Sequence, residues 1–270
     1  MTKKQITQFQ NTVWDFYKKN RRDFPWRNTT DPYHILVSEI MLQQTQTDRV
    51  VDKYNAFIKK FPTAQTLARA SSKAVLQAWS GLGYNRRAIF LKKAAEVITE
   101  EYCGTVPSNA EALRALPGIG AYTAEAIRVF AFNEPAALIE TNVRSIFIHH
   151  FFQGRKKISD AELMPYITAA TDQAHSRDWY SALMDYGVFL KKQIVNPSRK
   201  SKQYHTQSRF EGSGRQIRGF IIKKLLEKKW IPALRLYRAG NYQSDRVKQN
   251  LEALIKDGLV KKRGTLCAII

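Results

Sequence analysis

The chain has 270 residues, 44% of them hydrophobic and 25% charged, the make-up of a globular protein long enough for one or two cored domains. Its formal net charge of +21 implies a polyanionic partner, most commonly nucleic acid, against the alternative of a merely basic cytosolic protein. No stretch approaches the ~20 uninterrupted apolar residues of a membrane span, and the opening MTKKQITQFQ lacks the apolar core of a signal peptide. Cys103 and Cys267, distant in sequence and outside any CxxC, cannot alone hold zinc or an iron–sulfur cluster. Both read as buried thiols in a reducing cytosol, and the chain as a cytoplasmic monomer.

Helical signals dominate the first 198 residues, and no run of alternating strand residues interrupts them, so this part reads as all-α. Asp31-Pro32 is an N-cap followed by proline at the first helical position. Ile35, Leu36, Val37, Ile40, Met41 and Leu42 then make that helix apolar nearly all round, as a buried helix is. Ser72 is placed to cap a short helix ending near Trp79. A longer helix follows Gly83 and runs to about Tyr102, with Gly104 beyond its end. Ser108-Asn109-Ala110-Glu111 matches a capping box, and Asp178 can start a helix through about Leu190.

The stretch 191–213 is basic, polar and punctuated by proline and glycine, and 199–213 reads as a linker. From Arg199 to Ile270 there are 18 lysines and arginines against 5 acids, so the charge is concentrated in the tail. Residues 214–270 carry their own pattern. An amphipathic helix runs from Arg215 to about Lys228 (Ile217, Phe220, Ile221, Leu225), and a short one covers Pro232 to Arg238. A third, capped by Ser244, aligns Val247, Leu251, Leu254 and Ile255. Gly258-Leu259-Val260 and Thr265 to Ile270 suggest two strands around the basic run Lys261-Lys262-Arg263-Gly264. Three helices and a basic hairpin are the order of a winged helix, whose third helix would carry Arg246 and Lys248 toward DNA. A small helical protein-interaction module is the alternative.

Four segments carry chemistry. In Leu116-Pro117-Gly118-Ile119-Gly120, between two helices, Gly118 and Gly120 allow a tight turn that exposes backbone N–H groups at a helix N-terminus, a seat for one phosphate. A plain helix corner is the alternative. In Trp79-Ser80-Gly81-Leu82-Gly83-Tyr84-Asn85-Arg86-Arg87, Leu82 or Tyr84 could wedge into a base stack beside the cation Arg86. Equally, Tyr84 packs in a core and the arginines are solvated. In Ser38-Glu39-Ile40-Met41-Leu42-Gln43-Gln44-Thr45-Gln46, one carboxylate lies in an apolar helix. Burial would raise its pKa toward neutrality, as suits a general acid or base, unless it is a structural Glu paired with an arginine such as Arg27. Gln43 and Gln44 can hydrogen-bond base edges. In Leu138-Ile139-Glu140-Thr141-Asn142-Val143-Arg144, Glu140 precedes a helix whose N-terminus favours an anion. A proton donor and an anion together suit the breaking of a glycosidic bond through an oxocarbenium-like state.

The order PWR, DPY, SEIMLQQTQ, GLGY, LPGIGAYTA and then N-V-R after an acid resembles the helix-hairpin-helix DNA glycosylases over about residues 20–190, most of all the branch that removes adenine from A/G mismatches. The resemblance implies two α-helical lobes, one of six helices over about 28–132 and one built from the N-terminus plus 133–198, with the active site in the cleft between them. It implies that Glu39 protonates the leaving base and handles the water, and that Glu140 stabilises the sugar cation. It implies further that Gln43 and Gln44 probe the lesion pair, that Tyr84 intercalates, and that Gly118 and Gly120 hold a phosphate, often with a monovalent cation such as sodium or potassium. Arg27, beside the motif start, is counted with the DNA contacts.

Four departures from that pattern bear on function. Tyr122 stands where bifunctional relatives carry the Schiff-base lysine, which implies a monofunctional enzyme; adenine glycosylases usually have serine there, and tyrosine resembles the thymine/G-mismatch enzymes. Glu140 replaces aspartate, moving the carboxylate by about one C–C bond, ~1.5 Å. The four-cysteine iron–sulfur motif is absent, Lys191 and Lys192 standing near where its first cysteine would be. The C-terminal domain that reads 8-oxoguanine in the adenine enzymes is replaced by the winged-helix-like tail. The expectation is a monofunctional, cluster-free glycosylase acting on a mispaired base in duplex DNA, either adenine opposite guanine or 8-oxoguanine, or thymine or uracil opposite guanine. Such an enzyme would be cytoplasmic, and associated with the nucleoid in a bacterium. The rival is a non-catalytic binder of distorted or damaged DNA.

Overall fold

A computed structural model describes residues 2–270. In chain order the helices are α1 (Lys3–Asn20), α2 (Pro32–Leu42), α3 (Thr47–Lys60), α4 (Ala64–Arg69), α5 (Ser72–Ala78), α6 (Arg86–Glu101) and α7 (Ala110–Ala115). They continue with α8 (Ala121–Phe132), α9 (Thr141–Phe151), α10 (Asp160–Ala170) and α11 (Ser176–Gln193). The tail holds α12 (Gly214–Glu227), β1 (Ile231–Pro232), α13 (Ala233–Tyr237), α14 (Ser244–Lys256), β2 (Val260–Arg263) and β3 (Leu266–Ile269). Among the described residues before the tail there is no strand, as the sequence predicts.

The chain divides into two compact units, Met1–Glu39 with Ser108–Ala115 and Ile119–Thr206, and Ile40–Pro107 with Leu116–Gly118 and Gln207–Ile270. This division differs from the lobes expected at 28–132 and 133–198. Helix α8 turns Ala126 and Val129 into the core of the first unit, and the tail clusters with α3–α6 instead of standing apart.

The first unit is built on aromatic packing. Phe9 of α1 lies edge-on to Trp179 of α11 at 6.0 Å and tilted against Phe147 of α9 at 5.1 Å, with Trp14 at 5.6 Å from Trp179. Helix α11 is held very close to the start of α9. A Cβ on Gly187 would lie 2.6 Å from the Asn142 Cβ and 2.9 Å from its carbonyl oxygen, so only glycine permits this approach. On the same helix Asp185, 1% exposed, is gripped from two sides. Arg27 donates through both terminal nitrogens at 2.8 and 2.9 Å, and Arg22 donates through Nε at 2.7 Å and its backbone N–H at 3.0 Å. Arg27 therefore does not pair with Glu39, correcting that expectation; its guanidinium is engaged in this pair with Asp185 and also donates to the Ser181 carbonyl.

Most helix starts lie within a residue or so of their local signals, whereas α11 begins two residues before Asp178 and ends three past Leu190. Asp31 caps α2 through the Tyr33 and His34 N–H groups, as expected. Ser71, not Ser72, caps α5, and Asn109 caps α7 from inside the expected capping box. Ser244 opens α14 without capping it, since its hydroxyl donates to the Tyr237 carbonyl. Cys103 is exposed, not buried, because the chain turns left-handed there (φ 53°) just past α6; Cys267 is buried in β3. The stretch expected as linker from residue 199 begins later. Lys202 N–H and the Lys200 carbonyl bond to Ile158, and Asn196 accepts from Ser145 and Ser198, tying residues 196–202 to the first unit.

Within the second unit, the tail folds as three helices and a small antiparallel sheet in the order β1-β3-β2, the connectivity of a winged helix. Ile217, Ile221, Leu225, Val247, Leu251 and Leu254 are buried, the faces the spacing predicted. The two-residue strand β1 has no period to read. Lys261, Lys262 and Arg263 lie on β2 itself, with Gly264 turning the hairpin at φ 56°.

Burial alone would raise the Asp185 pKa, but the hydrogen bonds and charge of Arg27, joined by Arg22, hold it below its ordinary value. Its stabilisation is thus present above the ordinary carboxylate range and lost as pH falls through the depressed folded value. Replacing it with Ala leaves two cations without their partner. Denaturant titration of Asp185→Ala at pH 7 should show a loss of roughly 3–5 kcal/mol, and a loss below ~1 kcal/mol would mean the pair contributes no more than a surface salt bridge.

Candidate active site

Three of the singled-out side chains meet in the first unit. Glu39 ends the part of α2 that belongs to it, on a helix turn flanked by Ser38 and Ile40, both buried. The helix is apolar because it is enclosed, and Glu39 is the one ionisable group in its second half. Burial, and then the charge of Glu140, push the Glu39 pKa up to about 7. Like charges close together in dry surroundings cannot both ionise easily, and here Glu39 is the group that gives way.

Glu140 sits at the N-cap of α9 in extended conformation. Its Oε1 accepts from the backbone N–H groups of Asn142 at 2.7 Å and Val143 at 2.8 Å, and its Oε2 accepts from the Asn142 side-chain amide at 3.2 Å. These donors, at a helix N-terminus, reward negative charge on Glu140. The extra methylene relative to aspartate does not prevent capping. Asn142, the residue held against Gly187, therefore ties the position of Glu140 to α11.

Tyr122 lies on the first turn of α8. Burial first, then the charges of Glu39 and Glu140, hold its pKa well above the ordinary phenol value, so it is neutral and can only donate or accept a hydrogen bond near the two carboxyls. Tyr180 completes this wall, accepting from the Leu138 N–H at 3.0 Å and sharing a hydrogen bond with Thr171 at 3.1 Å, which fixes the segment leading into Glu140. Lys191, near the end of α11, is half-buried; burial lowers its pKa while the charge of Glu140 opposes the shift. Neither Tyr180 nor Lys191 was singled out from sequence for this site. A glycine inside α11 was the available clue that this helix approaches another backbone closely.

Of the other predicted contacts, Arg27 and Gly120 belong to the first unit and the rest to the second. Gly118 takes φ +81°, and a Cβ there would lie 2.7 Å from the Phe90 Cβ, so glycine is required twice over. Gly120 is the N-cap of α8 with ordinary dihedrals, and nothing lies within 4 Å of where its Cβ would be, which leaves open space at the first amides of α8. In the Gly81–Arg87 turn, Leu82 is only 3% exposed, whereas Tyr84 is 36% exposed and held at φ 46°. Tyr84, not Leu82, is the side chain this turn presents. Arg87 is not solvated. Its guanidinium donates to the carbonyls of Ile40, Met41, Gln43, Leu82 and Gly83 and to the Thr45 hydroxyl, and lies 5.4 Å from the ring centroids of both Trp79 and Tyr84. Burial lowers its pKa to about 10, so it stays charged. One half-buried cation thus closes the C-terminus of α2, orders the loop bearing Gln43 and exposed Gln44 (φ 53°), and backs the Gly81–Tyr84 turn. Arg86 is exposed, 4.7 Å from the Phe90 ring and 3.8 Å from Asp257. Arg246 and Lys248 are exposed on α14, with Arg246 donating to the Gly212 carbonyl at 2.6 Å.

The donor set does not fit a four-cysteine cluster. The sequence holds two cysteines, one exposed beyond α6 and one buried in β3, and among the described residues no group of three or more His, Cys, Asp or Glu side chains could hold a metal ion.

The two causes assigned to the Glu39 shift separate by experiment. Glu140→Gln removes the like charge and leaves the burial. The Glu39 carboxyl, followed by carbon-13 NMR against pH, should titrate below about 7 but still above the ordinary glutamate value of 4.5. No change would show that Glu140 does not act on it, and a fall to the ordinary value would show that burial does not.

The family described as HhH-GPD superfamily base excision DNA repair protein matches residues 37–167. The chain is 33% identical to an adenine DNA glycosylase of Mycolicibacterium smegmatis, over 92% of this chain and 90% of that one. It is 32% identical to a thymine/uracil-DNA glycosylase of Methanothermobacter thermautotrophicus, over 70% of this chain and 87% of that one. It spans 64% of the adenine DNA glycosylase of Buchnera aphidicola. Among solved structures, a thermostable thymine-DNA glycosylase superposes with a TM-score of 0.64 at 29% identity, covering 73% of this chain and 92% of that one. Two turns built on required glycines, a raised carboxyl beside a helix-capping one and these likenesses agree: the chain belongs to the HhH-GPD superfamily of base excision DNA repair proteins, as a DNA glycosylase.

Proposed function

We propose that the protein is a monofunctional DNA glycosylase that hydrolyses the N-glycosidic bond of a mispaired base in duplex DNA. The observation that carries this reading is the pair of unlike carboxyls, Glu39 lifted to about 7 and Glu140 bonded to the α9 N-terminus. At neutral pH a substantial share of Glu39 holds a proton. As the bond from the sugar C1′ to the base nitrogen breaks, its electron pair leaves with the base, and Glu39 delivers the proton to the base. The sugar becomes an oxocarbenium-like cation, and the Glu140 carboxylate stabilises it. Water adds to C1′ and gives its proton to the Glu39 carboxylate, restoring the acid and leaving an abasic sugar.

Tyr122 is a phenol and forms no Schiff base, which supports release of an abasic site without strand cleavage. Duplex binding would use Gly118 and Gly120 on one phosphate, Tyr84 as the wedge, Gln43 and Gln44 on the mispair, and the basic tail through Arg246 and Lys248 on flanking phosphates. A monovalent cation at the 116–120 hairpin would rest on backbone carbonyls, because none of those five side chains carries a donor atom. The adenine and thymine/uracil glycosylases among the relatives keep two substrates open, adenine opposite guanine or 8-oxoguanine and thymine or uracil opposite guanine.

Single-turnover excision on duplexes with G:T, G:U, A:G and A:8-oxoguanine pairs decides the substrate, with alkali-dependent strand cutting confined to one class of mispair as the expected result. Borohydride should trap no protein–DNA adduct. An adduct that disappears in Lys191→Ala would overturn the monofunctional assignment in favour of a lysine nucleophile. Because the acid is the protonated form of Glu39, the excision rate should be flat below about 7 and fall about tenfold per pH unit above it. Glu39→Gln should lose roughly 10²–10⁴-fold in rate while binding the duplex as the parent does. Equal measurable rates for parent and Glu39→Gln would remove Glu39 from the acid role, and tight binding with no excision of any duplex by the parent would leave a non-catalytic binder of distorted DNA as the better account.

A further inference from the structure

The aromatic tip that would enter the base stack is not free. The Tyr84 hydroxyl accepts from the Gln207 side-chain amide and, at 3.2 Å, from Arg215 Nη1, both donated by the segment that leads into the tail. Arg215 is in turn anchored to the carbonyl of Ser208. All of these residues belong to one compact unit, in which α12 packs against α5 directly below the turn. An aromatic wedge inserts tip first, and here the tip is capped by two side chains occupying the space that the bases would fill.

We infer that the segment Gln207–Arg215 is a clasp over the Tyr84 wedge, which opens before the wedge can enter DNA; this rests on the reading of Tyr84 as that wedge. Three features make the clasp releasable. Residues 204–209 lie in neither helix nor strand, so few backbone bonds oppose their movement. The segment does not pack solidly on the turn: a cavity of about 440 Å³ separates them, lined by Gln44, Ser80 and Tyr84 on one side and Gln207, Phe210 and Arg215 on the other. Phe210 remains 60% exposed at its rim. The sign of the charge matters as well. A segment that mimicked DNA to block the site would be acidic, whereas this one is basic, so duplex phosphates attract it. Arg215 can exchange a neutral hydroxyl for a phosphate oxygen, which makes the duplex itself the agent that opens the clasp.

Tyr84→Phe gives a clean test, because it removes the hydroxyl that the clasp grips and keeps the ring that does the wedging. Full-length protein would be mixed in a stopped-flow instrument with G:T and A:8-oxoguanine duplexes carrying 2-aminopurine beside the mispair, and base unstacking followed against protein concentration. Clasp opening is a first-order step, so the parent rate should reach a plateau. Two lost hydrogen bonds of ordinary net strength predict a plateau roughly five- to 150-fold higher in Tyr84→Phe and in the double variant Gln207→Ala/Arg215→Ala. The triple variant should gain no more than either. Tyr84→Ala should unstack the duplex far more slowly than the parent. If Tyr84→Ala matches the parent, the wedge reading fails and the clasp with it. If Tyr84→Ala is slow but neither Tyr84→Phe nor the double variant exceeds the parent plateau, the wedge stands and the clasp is overturned, the tail contacts then serving only to hold the tyrosine in place.

Discussion

Everything in this molecule that bears on chemistry depends on keeping one carboxyl dry next to another. Glu39 is lifted to about 7 by burial and by the charge of Glu140, and the folded state accepts a penalty for it. Because the charged form is the disfavoured one, stability is unaffected while Glu39 is protonated and declines as pH rises from the ordinary glutamate value of 4.5 through about 7. The penalty is on the order of 3 kcal/mol when Glu39 is fully ionised. A penalty of that size must be covered by packing elsewhere, and the first unit supplies it in the aromatic cluster around Phe9, Phe147 and Trp179. The helices that form this cluster also place the site: α9 presents Glu140 at its cap, and α11 presses Gly187 on Asn142 and Asp185 between two arginines. Core and site are one construction here, so a change in how α9 meets α11 would be felt at the carboxyls.

The second unit follows a different logic, in which backbone, not side-chain acidity, is the scarce resource. Gly118 and the Gly81–Tyr84 turn need left-handed conformations, and left-handed turns leave carbonyls that must be satisfied. Arg87 resolves this with a single guanidinium that serves the end of α2, the Gln43–Thr45 loop and the wedge turn together. A lysine, with one compact point charge, could not span that fan of acceptors. The turn is thereby stiff at its base, and Tyr84 is the one large side chain it exposes, the combination the proposed wedge requires.

How much of this the sequence disclosed varies with the range of the cause. Helix starts at Asp31-Pro32, the buried face of α2 and the winged-helix order of the tail were legible, because caps, hydrophobic period and turn residues act over a few positions. Glu39 stood out because a lone carboxylate in an apolar helix is a local anomaly. The relationships that make the site were not legible. Arg27 and Asp185 are 158 residues apart, and nothing near either one announces the other. Arg86 and Arg87 are adjacent and alike in sequence, yet one is exposed beside Asp257 and the other is the buried staple, a difference set by which side of α6 faces α2. The tail looked separable because its linker is polar; its contact with Tyr84 depends on a hydroxyl and two side chains more than 120 residues away.

Glutamate at position 140, where the resemblance implies aspartate, is the departure on which local geometry says most. A shorter aspartate caps with an oxygen close to its own backbone and turns the remaining oxygen outward over little distance. Here Oε1 takes both backbone N–H groups while Oε2 is held only by the 3.2 Å bond from the Asn142 side chain. The longer arm therefore keeps the helix-capping function entire on one oxygen and extends the other, weakly tethered, away from the helix. In the proposed reaction, that second oxygen is the one that would face the developing sugar cation. The Asn142 that tethers it has its backbone and Cβ close against Gly187, so the amide that holds Oε2 hangs from a point set by how α9 meets α11. In this arrangement the substitution is accommodated by the frame around it, with capping kept on Oε1 and Oε2 tied to Asn142.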